Sequence, residues 1–488
     1  MMPWLMAGLL FTPLAWAVLS LLVGFRTGRW LGWIGMALQA AVSLGLWLAV
    51  ARDGSFYYPL GGWQAPLGIE LRVDGLAVTF VLLTAAVASG CGLHAGVYLD
   101  PYKPWQRHFW PLFWFLWAGL NGVWLGSDLF NLYVGLELIS LSAVGLVALG
   151  GEGAALRASL RYLLAALVGS LAYLLGVALM YGQFGSLSLP GLADMVRDNP
   201  GLAGAGMALV LMLAGLALKT ALFPLHGWLP PAHGIARSPV SALLSALVVK
   251  ASFYIAARLW LELGGPLGSL ALAQLAGALG GAAVVWGSWM AFLQPRLKQV
   301  VAYSSVAQIG YLFLLFPLTF GVADSVSQLA QQGMTLQVVS HALAKAAMFL
   351  AAGNLILSIG SDRVTDLAGV GRFLPFSLLS FGLAGVSLMS LPPTGGFAAK
   401  WLLLQASLDS GQWWWTLVLV AGGLLSAAYV FRIYRASFLE VSGDDDFYHP
   451  PRRMEAIPML LSLLSLGLGL VSDPVLSIMA ISFEEEGG

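Results

Sequence analysis

The sequence is short of almost everything that marks a soluble enzyme. Charged residues fill 9% of its 488 positions, acids and bases cancel to zero net charge, and there is one cysteine, Cys91. A neutral chain offers no basic surface for nucleic acid. A lone cysteine excludes a disulfide or thiolate–metal framework within the chain, and Cys91 reads as a small apolar packing residue. There is no glycine-rich nucleotide loop, no histidine or cysteine cluster at metal-ligand spacing and no nucleophile beside a base. Neither a cofactor nor a bound metal is expected, and no covalent chemistry is expected of this chain.

Lysine is scarce as well, with six in the chain, and the positions of those few are informative. Four of them, Lys219, Lys250, Lys345 and Lys400, lie with Glu137 well inside long apolar runs. A charge at the centre of a bilayer costs between about 2.5 and 17 kcal/mol, so such residues face partners or water and mark ion paths. None of the seventeen arginines falls in the middle of a run. Arginine keeps its proton, whereas a lysine amine can release one, so the pattern reads as a proton route.

What the sequence has in abundance is apolar length. Apolar residues make up 59% of the chain, in stretches of roughly 20 that each suffice to cross a ~30 Å hydrocarbon core as a helix. The expected fold is all-α, a polytopic membrane protein of about fourteen spans, centred near residues 14, 40, 87, 117, 139, 170, 216, 251, 280, 309, 346, 390, 425 and 468. Arg26 and Arg29 follow the first apolar run and no base precedes it, which argues for a retained first helix over a cleaved signal. Fourteen spans put both termini on one side. Fifteen bases then fall in loops on the opposite side, including Lys103, Arg237, Arg296, Lys298 and Arg363, against Arg52, Arg72, Arg197 and Arg258 on the terminal side. By the positive-inside rule both termini face outward.

The spans group into four parts: a three-helix segment 1–108, five-helix sets at 109–263 and 267–439, and a last helix with an acidic tail at 440–488. Each five-helix set carries a proline-broken helix, Lys219-Thr-Ala-Leu-Phe-Pro224 in one and Pro392-Pro393-Thr-Gly-Gly-Phe-Ala-Ala-Lys400 in the other. Paired interrupted segments point to inverted repeats, and five spans per set supplies the inversion. The lysine precedes the prolines in the first set and follows them in the second. A broken helix in lipid needs protein or a wet cavity to satisfy its freed backbone, so a cavity is expected beside each break.

Within this frame Glu137 reads either as a packing carboxylate or as the partner that tunes Lys219. Lys219 and Lys250 flank a segment containing His226 and His233, which read as proton feeders or as plain interfacial residues. Gln337, His341 and Lys345 share one helical face, as do Ser304, Gln308 and Tyr311. The neutral members fit helix–helix hydrogen bonding equally well, while His341 with Lys345 fits a relay. Lys400, beside the second break, would end the series.

These residues resemble the antiporter-like subunits shared by Mrp-type multisubunit sodium/proton antiporters, respiratory complex I and energy-converting membrane hydrogenases. The resemblance rests on Phe130-Asn-Leu-Tyr-Val-Gly-Leu-Glu137, Lys219-Thr-Ala-Leu-Phe-Pro-Leu-His-Gly-Trp-Leu-Pro230, Ser238-Pro-Val-Ser-Ala-Leu-Leu-Ser-Ala-Leu-Val-Val-Lys250, Leu297-Lys-Gln-Val-Val-Ala-Tyr-Ser-Ser-Val-Ala-Gln-Ile-Gly310 and Leu391-Pro-Pro-Thr-Gly-Gly-Phe-Ala-Ala-Lys400. It runs from Pro59 through the thirteenth span and is greatest to the Mrp D subunit. It implies that Glu137 and Lys219 form an ion pair, Lys250 and Lys345 a central relay and Lys400 an exit. It also implies other membrane subunits as partners, protons and in an antiporter Na+ as cargo, and a place in the cytoplasmic membrane of a bacterium or archaeon. The rival readings are a pump driven by redox subunits or coupled to carbon uptake, and a membrane scaffold whose charges are vestigial. No group of membrane carboxylates beyond Glu137 offers the several oxygens that Na+ prefers.

Overall fold

An unpaired backbone amide in hydrocarbon costs several kcal/mol, so a chain this apolar closes its backbone bonds inside helices. The computed structural model describes residues 2–64, 68–99, 106–199, 203–439 and 448–484. The charged stretch 100–105 with Lys103, and the acidic tail beyond Glu484, lie outside the described residues.

The first helix, α1 (Met2–Asp53), turns back at Gly24, whose φ of 73° takes it out of the helical region. Its halves pack on one another, with Trp16 Nε1 donating to Leu31 O at 2.7 Å. A hairpin, β1 (Phe56–Pro59) and β2 (Glu70–Val73), pairs Phe56 with Val73 and leads into α2 (Gly75–Tyr98), capped by Asp74. There follow α3 (Phe109–Leu125), α4 (Leu129–Ala148), α5 (Gly153–Phe184), the short α6 (Leu189–Asp198) and α7 (Ala203–Thr220). After the first break come α8 (Leu229–Ile235), α9 (Ser238–Leu243), a π-helical turn (Leu244–Val248) and α10 (Val249–Leu267). The second half holds α11 (Leu270–Leu293), α12 (Leu297–Leu312), α13 (Leu315–Thr319), α14 (Asp324–Ile359), α15 (Val370–Phe373), α16 (Pro375–Met389), α17 (Gly395–Asp409) and α18 (Trp414–Ser437). The chain closes with α19 (Arg452–Gly467) and α20 (Asp473–Glu484).

Ten of the described helical segments are long and apolar enough to cross a membrane, the doubled α1 counting once. Every expected span centre falls on a helix or, near 390 and 468, at the junction between two. The expected span near 390 is thus two shorter helices, α16 and α17, joined by the proline segment.

Both breaks have the same local form. Ala221 (φ 61°) and Ser390 (φ 62°) end their helices in the left-handed region, and a proline stands three residues beyond each, Pro224 and Pro393. Leu218 O accepts both the Ala221 backbone N–H at 3.1 Å and the Trp228 indole N–H at 2.9 Å, so at the first break it is satisfied by protein.

Helix crossings are set by small residues. A Cβ on Gly280 would stand 2.5 Å from Gly310 O, and one on Gly310 would stand 2.3 Å from Gly280 O, so α11 and α12 touch backbone to backbone. The stretches Ser238–Leu267, Leu297–Thr319 and Asp324–Ile359 are the most fully enclosed, whereas α1 and α18 present much of their surface outward. The enclosed helices are the ones that carry Lys250 and Lys345.

Candidate functional site

Glu137 on α4 and Lys219 in the last turn of α7 come from helices that both pack on α5. Lys219 Nζ lies 3.1 Å from Glu137 Oε1. Ser170 of α5 stands between them, its hydroxyl accepting from Lys219 and donating to Glu137. Gly169 makes room: a Cβ there would meet Lys219 Cγ at 2.8 Å and Gly215 O at 2.8 Å. Beside Lys219 a cavity of about 10 Å³ is lined by Ser140, Tyr162, Trp228 and Ser252, close to the space one water needs.

Thr220 Oγ1, next to Lys219, bonds to Ser252 Oγ at 3.1 Å, which ties the pair to the helix of Lys250. Lys250 is 1% exposed. Its amine donates to Ser245 O in the π-helical turn, and Ser245 Oγ bonds to Ser305 Oγ of α12 at 2.8 Å. A π turn replaces the usual i to i+4 bonding with i+5, here Val249 N to Leu244 O, and such turns are common at functional sites. Lys345 on α14 is fully buried, with its amine on Ser304 Oγ and 3.0 Å from Val301 O. Lys400 on α17 lies 3.9 Å above the ring of Tyr311 and has no hydrogen-bond partner among the described residues. Among the described residues no carboxylate ion-pairs with Lys250, Lys345 or Lys400.

Two buried histidines lie within the electrostatic reach of these lysines. His233, at the end of α8, is fully buried and stacks on Phe349 at 5.1 Å, and both of its ring nitrogens are unpartnered among the described residues. The charges of Lys298, Lys345 and Lys250 all bear on it. His341 on α14 is likewise buried with both nitrogens unpartnered, and the charges of Lys250, Lys345 and Lys400 bear on it. His226, in contrast, is half-buried in the first break, stacked on Phe223 at 5.5 Å, and joins none of the lysines. Gln337 donates to Gln308 Oε1 at 2.9 Å, and Gln308 reaches Leu388 O in α16, so these two bind helices together.

Sequence reasoning had no signal for Ser170, one serine among many, nor for Lys298, which looked like a loop base. It also missed a buried cluster at the terminal-side end of α10. There Arg258 Nη2 lies 2.6 and 2.5 Å from the two Asp74 oxygens, Arg72 bridges Asp74 at 2.9 Å and Glu262 at 2.8 Å, and Tyr254 donates to Trp124 O at 2.8 Å. Arginines near span ends looked like ordinary interfacial residues.

A multi-pass helical membrane protein with amines strung through its enclosed centre is the class that fold and site define. The chain belongs to the NADH:quinone oxidoreductase/Mrp antiporter transmembrane family, whose pattern it matches over residues 126–426. It is 37% identical over 452 residues to NADH-quinone oxidoreductase subunit N of Desulforudis audaxviator, covering 89% of this chain and 88% of that protein. It is 29% identical to the D subunit of the Na(+)/H(+) antiporter of Alkalihalophilus pseudofirmus, over 91% of this chain and 88% of that one. A subunit of the membrane-bound sulfane sulfur reductase, an archaeal respiratory membrane complex, superposes with a TM-score of 0.89 at 27% identity, covering 98% of this chain and 96% of that chain.

Proposed function

We propose that this chain is a proton-translocating subunit of a larger membrane complex, carrying protons along Glu137, Lys219, Lys250, Lys345 and Lys400 with His233 and His341 between the amines. The observation that carries the reading is the contrast in partners. One lysine of the series meets a carboxylate, at 3.1 Å, and the other three are buried on hydroxyls, carbonyls or a ring. An ammonium so placed gains little to hold its charge in a low-dielectric interior, and neighbouring amines repel one another's protons. The ion pair is the natural control point, since separating Glu137 from Lys219 frees the proton that the pair holds.

The matching form of the two breaks supports inverted repeats over 109–263 and 267–439, flanked by 1–108 and 440–488, and the loop arginines support both termini outside. Partners are other membrane subunits, in an assembly like the cation/proton antiporter whose D subunit the chain resembles. A second assembly, driven by redox chemistry, is favoured by the higher identity to the quinone oxidoreductase subunit, 37% against 29%. Copurification in mild detergent decides between them: iron–sulfur or quinone-reducing subunits mark the redox assembly, and sodium-dependent proton movement without them marks the antiporter.

The relay itself is tested with Lys219→Ala in everted vesicles. Proton-coupled transport is expected to vanish while the complex stays assembled. Transport at the wild-type rate takes Lys219 off the route.

A further inference from the structure

The series above leaves one buried amine unused. Lys298 stands in the first turn of α12 on the arginine-rich side, 7% exposed, and its amine donates to Ala236 O. Ala236 caps the end of α8, the helix that carries His233, and its carbonyl also takes the Ser241 hydroxyl at 3.3 Å. Lys298 is therefore tied to the end of the helix that carries His233, the histidine on which the charges of Lys298, Lys250 and Lys345 all bear.

The surroundings of this amine are unusual for a structural lysine. The charged groups near it are Arg237 from the turn after α8 and Asp362 from the segment after α14. Asp362 reaches instead toward Arg296, at 3.8 Å, and among the described residues no carboxylate ion-pairs with Lys298. The amine also lies at the positive end of the α12 dipole, where a cation is unfavourable. A tether alone would be served as well by a neutral donor. The enclosure is well built nonetheless: Leu297 N bonds to Asp362 O at 2.6 Å, Arg296 bridges to Arg363 through the backbone, and Gln299 packs against Gly234.

We infer that Lys298 is the loading amine of the relay, exchanging protons with the arginine-rich side and passing them through His233 to Lys250 and Lys345. This rests on the proton-relay reading above. In the transfer, the Lys298 ammonium gives its proton to a free ring nitrogen of His233 and becomes a neutral amine. The imidazolium then yields a proton to the amine of Lys250 or Lys345 and returns to its neutral form. Lys298 is recharged from water on the arginine-rich side, so each passage moves one proton and leaves the residues as they began.

The test uses the whole complex reconstituted in vesicles, with rates normalised to assembled complex. Lys298→Arg keeps a cation and a donor for Ala236 O but cannot release its proton, so transport is expected to fall at least tenfold. Lys298→His, which titrates, is expected to retain a measurable fraction of transport with its pH profile displaced to lower pH. Wild-type transport in the arginine variant, or a histidine variant as inactive as the arginine one, overturns the inference. Should the arginine variant fail to assemble, Lys298→Gln replaces it, since it too donates to the carbonyl and carries no exchangeable charge. Lys219→Ala in the same preparation separates the two readings: if it transports normally the relay itself is wrong, and if it is inactive while Lys298→Arg is active, Lys298 alone is excluded.

Discussion

Glu137 and Lys219 meet 3.1 Å apart with the Ser170 hydroxyl lodged between them, so the one ion pair in the series is a three-centre contact. Opposite charges about 4 Å apart gain about 4 kcal/mol at an effective dielectric constant near 20. Glu137 keeps 20% of its side-chain surface exposed, which reduces that figure. Burial of the ammonium opposes the rest, so the pair is closely balanced and its separation can make proton release conditional.

Glu137→Gln should therefore slow proton transport by about tenfold or more without dispersing the complex, since tenfold in rate corresponds to about 1.4 kcal/mol. The measurement is initial rate in vesicles alongside a native-gel assay of assembly. A wild-type rate would show that the pair plays no part in control.

Ser170→Ala removes the hydroxyl that both partners use and leaves their direct contact in place. A smaller effect than that of Glu137→Gln is expected, a few-fold loss, together with an altered pH profile because the ammonium loses one of its acceptors. An unchanged rate and profile would reduce Ser170 to helix packing.

At Lys250 and Lys345 the informative change is to arginine. Lys250→Arg and Lys345→Arg keep the charge and can still donate to Ser245 O and Ser304 Oγ, yet hold their protons permanently. Transport should be lost in both. A merely structural role for these ammonium groups predicts the opposite, since the cation is preserved.

Charges inside apolar runs stand out in a sequence because the bilayer penalises them so heavily, which is why Glu137, Lys219, Lys250, Lys345 and Lys400 are legible in the linear chain. The helical class is legible for the same reason, and so is the position of each break, through Pro224 and Pro392-Pro393. The rest depends on pairings between distant parts of the chain. Ser170 becomes distinctive only once Gly169 lets Lys219 approach. Lys298 looks like a neighbour of Arg296 in a basic loop until the fold turns it inward against Ala236. His233 is legible as a candidate, but the bearing of three lysine charges on it is not, because those lysines come from α10, α12 and α14. The π turn before Lys250 carries no proline or glycine to announce it.

The crossing of α11 and α12 gives a prediction about packing. Gly310→Leu forces apart two backbones already in contact at Gly280, a clash that typically costs about 1–3 kcal/mol or more. Reduced yield of assembled complex and a lower melting temperature are expected. Gly122→Ala serves as the control, because a Cβ there meets nothing within 4 Å, and it should leave both measurements unchanged.

The Asp74 cluster makes the last prediction, and it concerns stability. Asp74 caps α2 and holds both Arg72 and Arg258, so two cations on separate elements depend on one fully buried carboxylate, with Glu262 as their other acid partner. Asp74→Asn keeps the size and one acceptor oxygen but strips the charge, leaving Arg258 buried with Glu262 no nearer than 4.0 Å. Breaking a buried pair on one side costs about 3–5 kcal/mol, whereas removing both partners is far less costly. Asp74→Asn should therefore lower the melting temperature of the detergent-solubilised complex by several degrees, and Asp74→Asn with Arg258→Met should recover part of the loss. Because Arg258 lies eight residues beyond Lys250 on α10, the single variant is also expected to loosen that helix and reduce transport, while the double variant restores stability more than transport. If the double variant is no more stable than the single one, the arginine was not held by this carboxylate.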